Sequence, residues 1–185
     1  MNTKKVYWLV LIIVLVAWFL PFIPPSPLLK AEKSEKEDVS AEPVHIVTDL
    51  LSLWLSSSNW IEGGNCNIER MNSEVMGTSV YDISKNKQLK LVGWAMDSTK
   101  ARLPKSTVVR LTNSENIHFY ALAQSGRVRD DVQRYFDLTD NVKMSGFELN
   151  TNTGELPVGE YALTVVLLFK DTTLICDNGR KINVQ

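Results

Sequence analysis

Residues 6–23, VYWLVLIIVLVAWFLPFI, form an unbroken run without a charged side chain, and Lys4 and Lys5 stand directly before it. At about 1.5 Å per helical residue the run reaches about 27 Å, close to the roughly 30 Å hydrocarbon core of a bilayer. A helix apolar on every face suits lipid better than the boundary between a core and water. The competing reading is a cleaved secretory signal, which needs a shorter apolar stretch of about 7–15 residues ending in small side chains. Here FLPFIPPSPLLKAEK, residues 19–33, puts prolines and bulky residues in that place. The sequence therefore predicts a retained, single-pass N-terminal transmembrane helix at 6–23, preceded by a short terminus at 1–5. Lys30, Lys33 and Lys36 follow the span, so counting basic residues leaves its orientation open.

Beyond the span, residues 24–43 are rich in proline and alternating charge and read as a solvated, flexible tether. Residues 44–60 then place Val47, Leu50, Leu51 and Trp54 at helical spacing, with Pro43 suited to a first turn and Ser56–Ser58 to an end. This amphipathic juxtamembrane helix has three uses open to it: lying on the membrane, packing on the domain, or docking a partner. Its polar face lacks basic residues, which argues against adsorption to anionic lipid. Its four apolar residues are the candidate partner-docking set.

From Cys66 the pattern changes to short runs rich in β-branched and aromatic residues, among them CNIERM, KQLKLVGWAM, STVVRLT, IHFYALA, EYALTVVLLF, TTLIC and KINV. Turn signals separate them, including a DNG at Asp177–Gly179 that predicts a hairpin between TTLIC and KINV. Short strands without long helices between them predict a mainly β chain, an Ig-like antiparallel β-sandwich over residues 61–185. One helix interrupts it: in Gly126–Leu138, Val128, Val132, Tyr135 and Phe136 share a face, and Asp130 and Asp131 complement the dipole of the first turn.

The two cysteines, Cys66 and Cys176, lie near the ends of this domain without the clustered spacing of a metal site. A disulfide between them implies an oxidising compartment; two buried free thiols are the alternative. With 20 basic and 21 acidic residues and no basic block interleaved with aromatics, nucleic acid is not an expected partner. His45 and His118 stand far apart and no GxSxG, HExxH or phosphate loop occurs, so no catalytic residue, metal or cofactor is expected. Asp97, Asp130 and Asp131 are the acids from which a carboxylate pair for glycoside hydrolysis would be assembled.

In LVGWAMD, Leu91–Asp97, alternation puts Leu91, Gly93 and Ala95 on one face and Trp94 on the other, with Gly93 permitting a bulge or a close backbone approach. Trp94 is either a packing residue or a stacking surface for a sugar ring. Arg127, Arg129, Asp130 and Asp131 make the densest polar group, either a recognition edge or a solvated helix start. Trp94, Asp97, Arg127, Arg129 and Asp130 are the candidate binding residues.

The order CNIERMN, LVGWAMD, RVRDDVQRYF, SGFEL, LPVGEYALTVV and LIC, from Cys66 to Cys176, resembles a bacterial β-sandwich module with the running pattern Cys, GWAxD, RxDV, GF, LPxGxY, Cys. The similarity covers about Cys66–Gln185. Such modules are tails on multi-spanning membrane proteins, including ones linked to surface-polysaccharide assembly, and face the periplasm. This chain departs from that setting in having one span and no catalytic membrane domain. The resemblance implies an inner-membrane anchor with residues 1–5 in the cytoplasm and the sandwich in the periplasm. The expected role is non-catalytic binding or positioning of a membrane or periplasmic protein in an envelope-assembly complex. The alternative is a carbohydrate-binding module for surface polysaccharide or its precursors.

Overall fold

The computed structural model describes residues 45–46 and 60–185. The span, the tether and Val47, Leu50, Leu51 and Trp54 lie outside the described residues. Among those described, no helix is long and apolar enough to cross a membrane. Ten strands follow one another: β1 (Trp60–Glu62), β2 (Asn65–Met71), β3 (Glu74–Val75), β4 (Val80–Ile83), β5 (Gln88–Met96), β6 (Ser106–Asn113), β7 (His118–Arg127), β8 (Gly146–Asn152), β9 (Gly159–Leu168) and β10 (Thr173–Val184). Among the described residues one short α-helix, α1 (Asp130–Tyr135), and a 3-10 turn at Asp140–Val142 separate β7 from β8.

The strands form one sheet in the order β1-β10-β9-β6-β7-β8-β5-β2-β3, with β4 also on β10. β7 turns the sheet over on itself. Its first part, His118 to Ala123, pairs with β6, and its last part, from Gln124, pairs with β8, with a register shift between Ser125 and Arg127 where Gly126 takes a positive φ of 100°. Alternating side chains of the two halves then meet in one core. Leu89 and Leu91 of β5 and Phe147 and Leu149 of β8 come from one side, Val109 and Leu111 of β6 and Leu163 and Val165 of β9 from the other, all fully buried. The arrangement is mainly β and consistent with a β-sandwich.

Tyr161, also fully buried, donates its hydroxyl proton to Pro157 O at 2.7 Å, so the LPVGEY stretch locks the entry to β9 through a buried but satisfied phenol. Ile46 reaches the same core, and His45 Nδ1 lies 3.2 Å from Glu155 Oε1.

Four sequence expectations need correction. The sheet is not wholly antiparallel, because β1 and β4 both run parallel to β10, β1 beside Thr173–Ile175 and β4 beside Lys181–Val184. Parallel neighbours need a crossover; the chain supplies it through β2–β9 between β1 and β10 and through β5–β9 between β4 and β10. The DNG at Asp177–Gly179 is not a hairpin. β10 continues through it on the same neighbour, and the pairing jumps from Asp177↔Thr164 to Arg180↔Leu163, so Asn178 and Gly179 bulge out. Gly179 takes φ 67° there and its N–H donates to Asp177 Oδ1.

The predicted helix at Gly126–Leu138 shortens to Asp130–Tyr135, because Gly126 and Arg127 still belong to β7. Of its apolar face Val132 is buried, whereas Val128 and Tyr135 are 55% and 83% exposed. Trp60 begins β1 and does not end a helix, and His45 and Ile46 are not helical.

The ends of the sheet are tied together. Cys66 of β2 and Cys176 of β10 are disulfide-bonded across 6.1 Å between Cα atoms, 110 residues apart. Beside them the β10 bulge aims Arg180 at β2: Nε donates to Ile68 O at 3.2 Å, Nη2 to Asn67 Oδ1 at 3.1 Å, and Nη1 to Gly77 O. In the chain-entropy account, a cross-link closing about 100 residues removes much of the freedom of the unfolded chain. Cys66→Ser is expected to lower unfolding stability by about 2–5 kcal/mol and to abolish the faster migration of the oxidised chain on a non-reducing gel. Urea unfolding with and without reductant measures the first and the gel the second; coincident unfolding curves would show that the bond contributes nothing.

Candidate functional site

The candidate binding residues fall into separate clusters, and the best built of them surrounds Trp94. Its origin is Gly93, on the core side of β5. A Cβ there would come within 2.2 Å of Asn67 O and 2.8 Å of Phe147 Cζ, so only glycine lets β2 approach. Opposite Gly93 the β2–β5 register shifts between Ile68 and Arg70, leaving Glu69 as the extra residue. A bulge of this kind re-aims a side chain, and Glu69 now faces Trp94 and Arg129.

Its carboxylate accepts Trp94 Nε1 at 3.1 Å, Arg129 Nη1 at 2.9 Å and Arg129 Nη2 at 3.0 Å. Arg129 also donates to Asp131, Nε to Oδ1 at 2.8 Å and Nη2 to Oδ2 at 2.7 Å. A fork with all three nitrogens engaged on two carboxylates is a strong, charge-assisted arrangement. The hydrogen bonds to Asp131 first, then those to Glu69, push Arg129 above its ordinary value. The same guanidinium holds the Asp131 carboxyl down at about 2.

Trp94 is therefore neither a plug of the main core nor an open platform. Its ring meets Phe136 edge-on, centroids 5.6 Å apart, above a small second core of Met96, Val132 and Val142 that α1 covers. Arg129, at the entry to α1, thus pins that helix to β2 across the sheet.

The other candidates are held elsewhere. Arg127 pairs with Glu148, which Lys90 also reaches at 3.0 Å. Asp130 pairs with Lys143 at 3.0 Å. Asp97, only 5% exposed, accepts Arg102 Nε at 3.0 Å and Lys100 N at 3.2 Å in a tight turn; Arg102 then reaches Asp171 and lies 4.1 Å from the centre of the Phe169 ring. Asp97, Asp130 and Asp131 are thus each held by a different cation. Among the described residues no group of three or more His, Cys, Asp or Glu could hold a metal ion.

Sequence reasoning missed Glu69 and Arg102, the partners that organise these clusters. The only legible signal for Glu69 was the glycine beside Trp94, which permitted a bulge without saying on which strand. No family model matches the chain, and no curated protein or solved structure matches it either.

Two outcomes follow. Gly93→Ala is expected to cost about 1–3 kcal/mol through overpacking against backbone, seen as a lower urea midpoint; an unchanged midpoint would mean that β2 is free to retreat. Because the Asp131 carboxyl is depressed in the folded state, its contribution to stability is present above the ordinary value of 3.8 and is lost as pH falls through about 2. In Arg129→Leu the Asp131 carboxyl should return toward the ordinary range in an NMR titration, and a value still near 2 would show that Arg129 does not hold it.

Proposed function

We propose that the chain is a single-pass, inner-membrane-anchored protein whose Ig-like β-sandwich stands in the periplasm. There it binds or positions a protein partner in a cell-envelope assembly complex, without catalysis. The disulfide between β2 and β10 supports the compartment, since such bonds persist where the surroundings are oxidising. The Tyr161 hydroxyl, bonded back to Pro157 at the start of β9, supports the Ig-like assignment as a tyrosine corner.

The observation that carries the partner reading is the apolar surface around α1. Val128 and Met144, neighbours where Arg129 N donates to Lys143 O, are 55% and 45% exposed, and Tyr135 is 83% exposed. Large exposed side chains of this type, a tyrosine above all, are the anchors that protein interfaces use. The Glu69–Arg129–Asp131 network beneath holds this surface rigid, which lowers the entropy lost on docking.

A second reading, a carbohydrate-binding module, draws on Trp94 and Arg129. It is weakened at that place because the indole N–H and every nitrogen of Arg129 are already engaged within the chain, and the indole ring packs against Phe136. Purification of the full chain from its native membrane in mild detergent is expected to recover a stoichiometric protein partner, and the Val128→Ser/Tyr135→Ser double variant should lose it. Recovery of the same protein by the double variant, or of the chain alone, would overturn the docking reading.

A further inference from the structure

Arg110 occupies mid-strand in β6, opposite Tyr120 of β7 and Thr164 of β9. Its neighbours Val109 and Leu111 point into the core, so by alternation Arg110 leaves the opposite, outer surface of the sheet. Its Nε is buried without a hydrogen-bond partner, and its guanidinium carbon lies 5.7 Å from the centre of the Trp60 ring. Two carboxylates line the same groove, Glu62 at the end of β1 and Asp177 at the β10 bulge, yet Arg110 forms an ion pair with neither. Gly63 and Gly64 contribute bare backbone and Thr164 a nearly buried hydroxyl. The groove encloses about 440 Å³, within the span of about 300–1,000 Å³ typical of small-molecule clefts.

One groove thus holds the donor Arg110 together with the acceptors Glu62 and Asp177. Vicinal hydroxyls supply both halves at once: their protons to Glu62 and Asp177, their oxygen lone pairs to the guanidinium fork. One positive and two negative groups give the groove a net negative charge, which disfavours an anionic ligand and leaves a neutral one unopposed. We propose that this groove binds a neutral pyranose ring of a glycan, with Arg110 as hydrogen-bond donor and Glu62 and Asp177 as acceptors. The proposal rests on the carbohydrate reading, which it moves from Trp94 to the outer face of the β10–β9–β6 region, and is independent of docking around α1.

Methyl glycosides of glucose, galactose and mannose, with methyl glucuronide as the charged probe, are titrated into the full chain in detergent and followed by amide NMR. At least one neutral glycoside should shift the Gly63, Gly64 and Asp177 amides and saturate in the millimolar range, with the glucuronide weaker. Arg110→Met and Glu62→Gln should each weaken binding about tenfold, the loss of one charge-assisted hydrogen bond, while their spectra remain dispersed as in the parent chain. Silence of the three amides with all neutral probes, tighter binding of the glucuronide, or undiminished binding by both variants would overturn the proposal. Shifts centred on the Trp94 indole would overturn this site while keeping the sugar reading. Retention of a co-purifying protein by Arg110→Met would separate the fate of this groove from that of the docking surface.

Discussion

A sheet of ten strands that turns over on itself has two ends, and in this protein the strands next to those ends are joined: Cys66 on β2 is bonded to Cys176 on β10. Unpaired strand edges are a liability in any open sheet, and here the covalent tie is completed by hydrogen bonds. Arg180 leaves the β10 bulge and fills the acceptors of Ile68 and Asn67 on β2 and of Gly77 beyond β3. The position of β2 then governs what happens next to it. Held against β5, it can follow the sheet only because Gly93 has no Cβ, and it accommodates the approach by extruding Glu69.

Glu69 converts that backbone irregularity into a structural network. It orients Trp94, receives Arg129 and so ties α1 to the sheet. The polar residues that look most like a recognition edge are largely consumed in fixing the helix, and the tryptophan that looks like a platform roofs a second small core. The chemistry left unspent lies elsewhere. Arg110 projects into a groove beside two carboxylates that it does not pair with, and Tyr135, Val128 and Met144 stand exposed around the helix that the network secures. Rigid support under one surface and a buried, unpartnered Arg110 Nε beside another are different devices.

Much of the strand content was legible because alternation has a period of two and short β-branched runs have few other solutions. The runs around Leu91, Val109, Ala121, Leu149 and Val165 all became strands with those residues inward. Local signals misled where two conformations share the same residues. A DNG serves a hairpin or a bulge equally well at the level of φ, and only continued pairing of Arg180 with Leu163 on β9 selects the bulge. The apolar spacing across Gly126–Leu138 is equally compatible with a longer helix, and pairing of Arg127 with Gly146 of β8 keeps its first residues in a strand.

By itself, then, the sequence determined the mainly β character, the short helix between two strands, the two faces of the strand that carries Leu91 and Trp94 and the pair of cysteines available for a bond, since each follows from periodicity or composition within a few residues. Which strands lie side by side, that β1 and β4 run parallel to β10, that Glu69 is the bulged residue and that Arg110 Nε is buried without a hydrogen-bond partner among the described residues were decided only in three dimensions. Those features depend on contacts between segments from 25 to 113 residues apart, and a local pattern carries no record of which distant strand will arrive beside it.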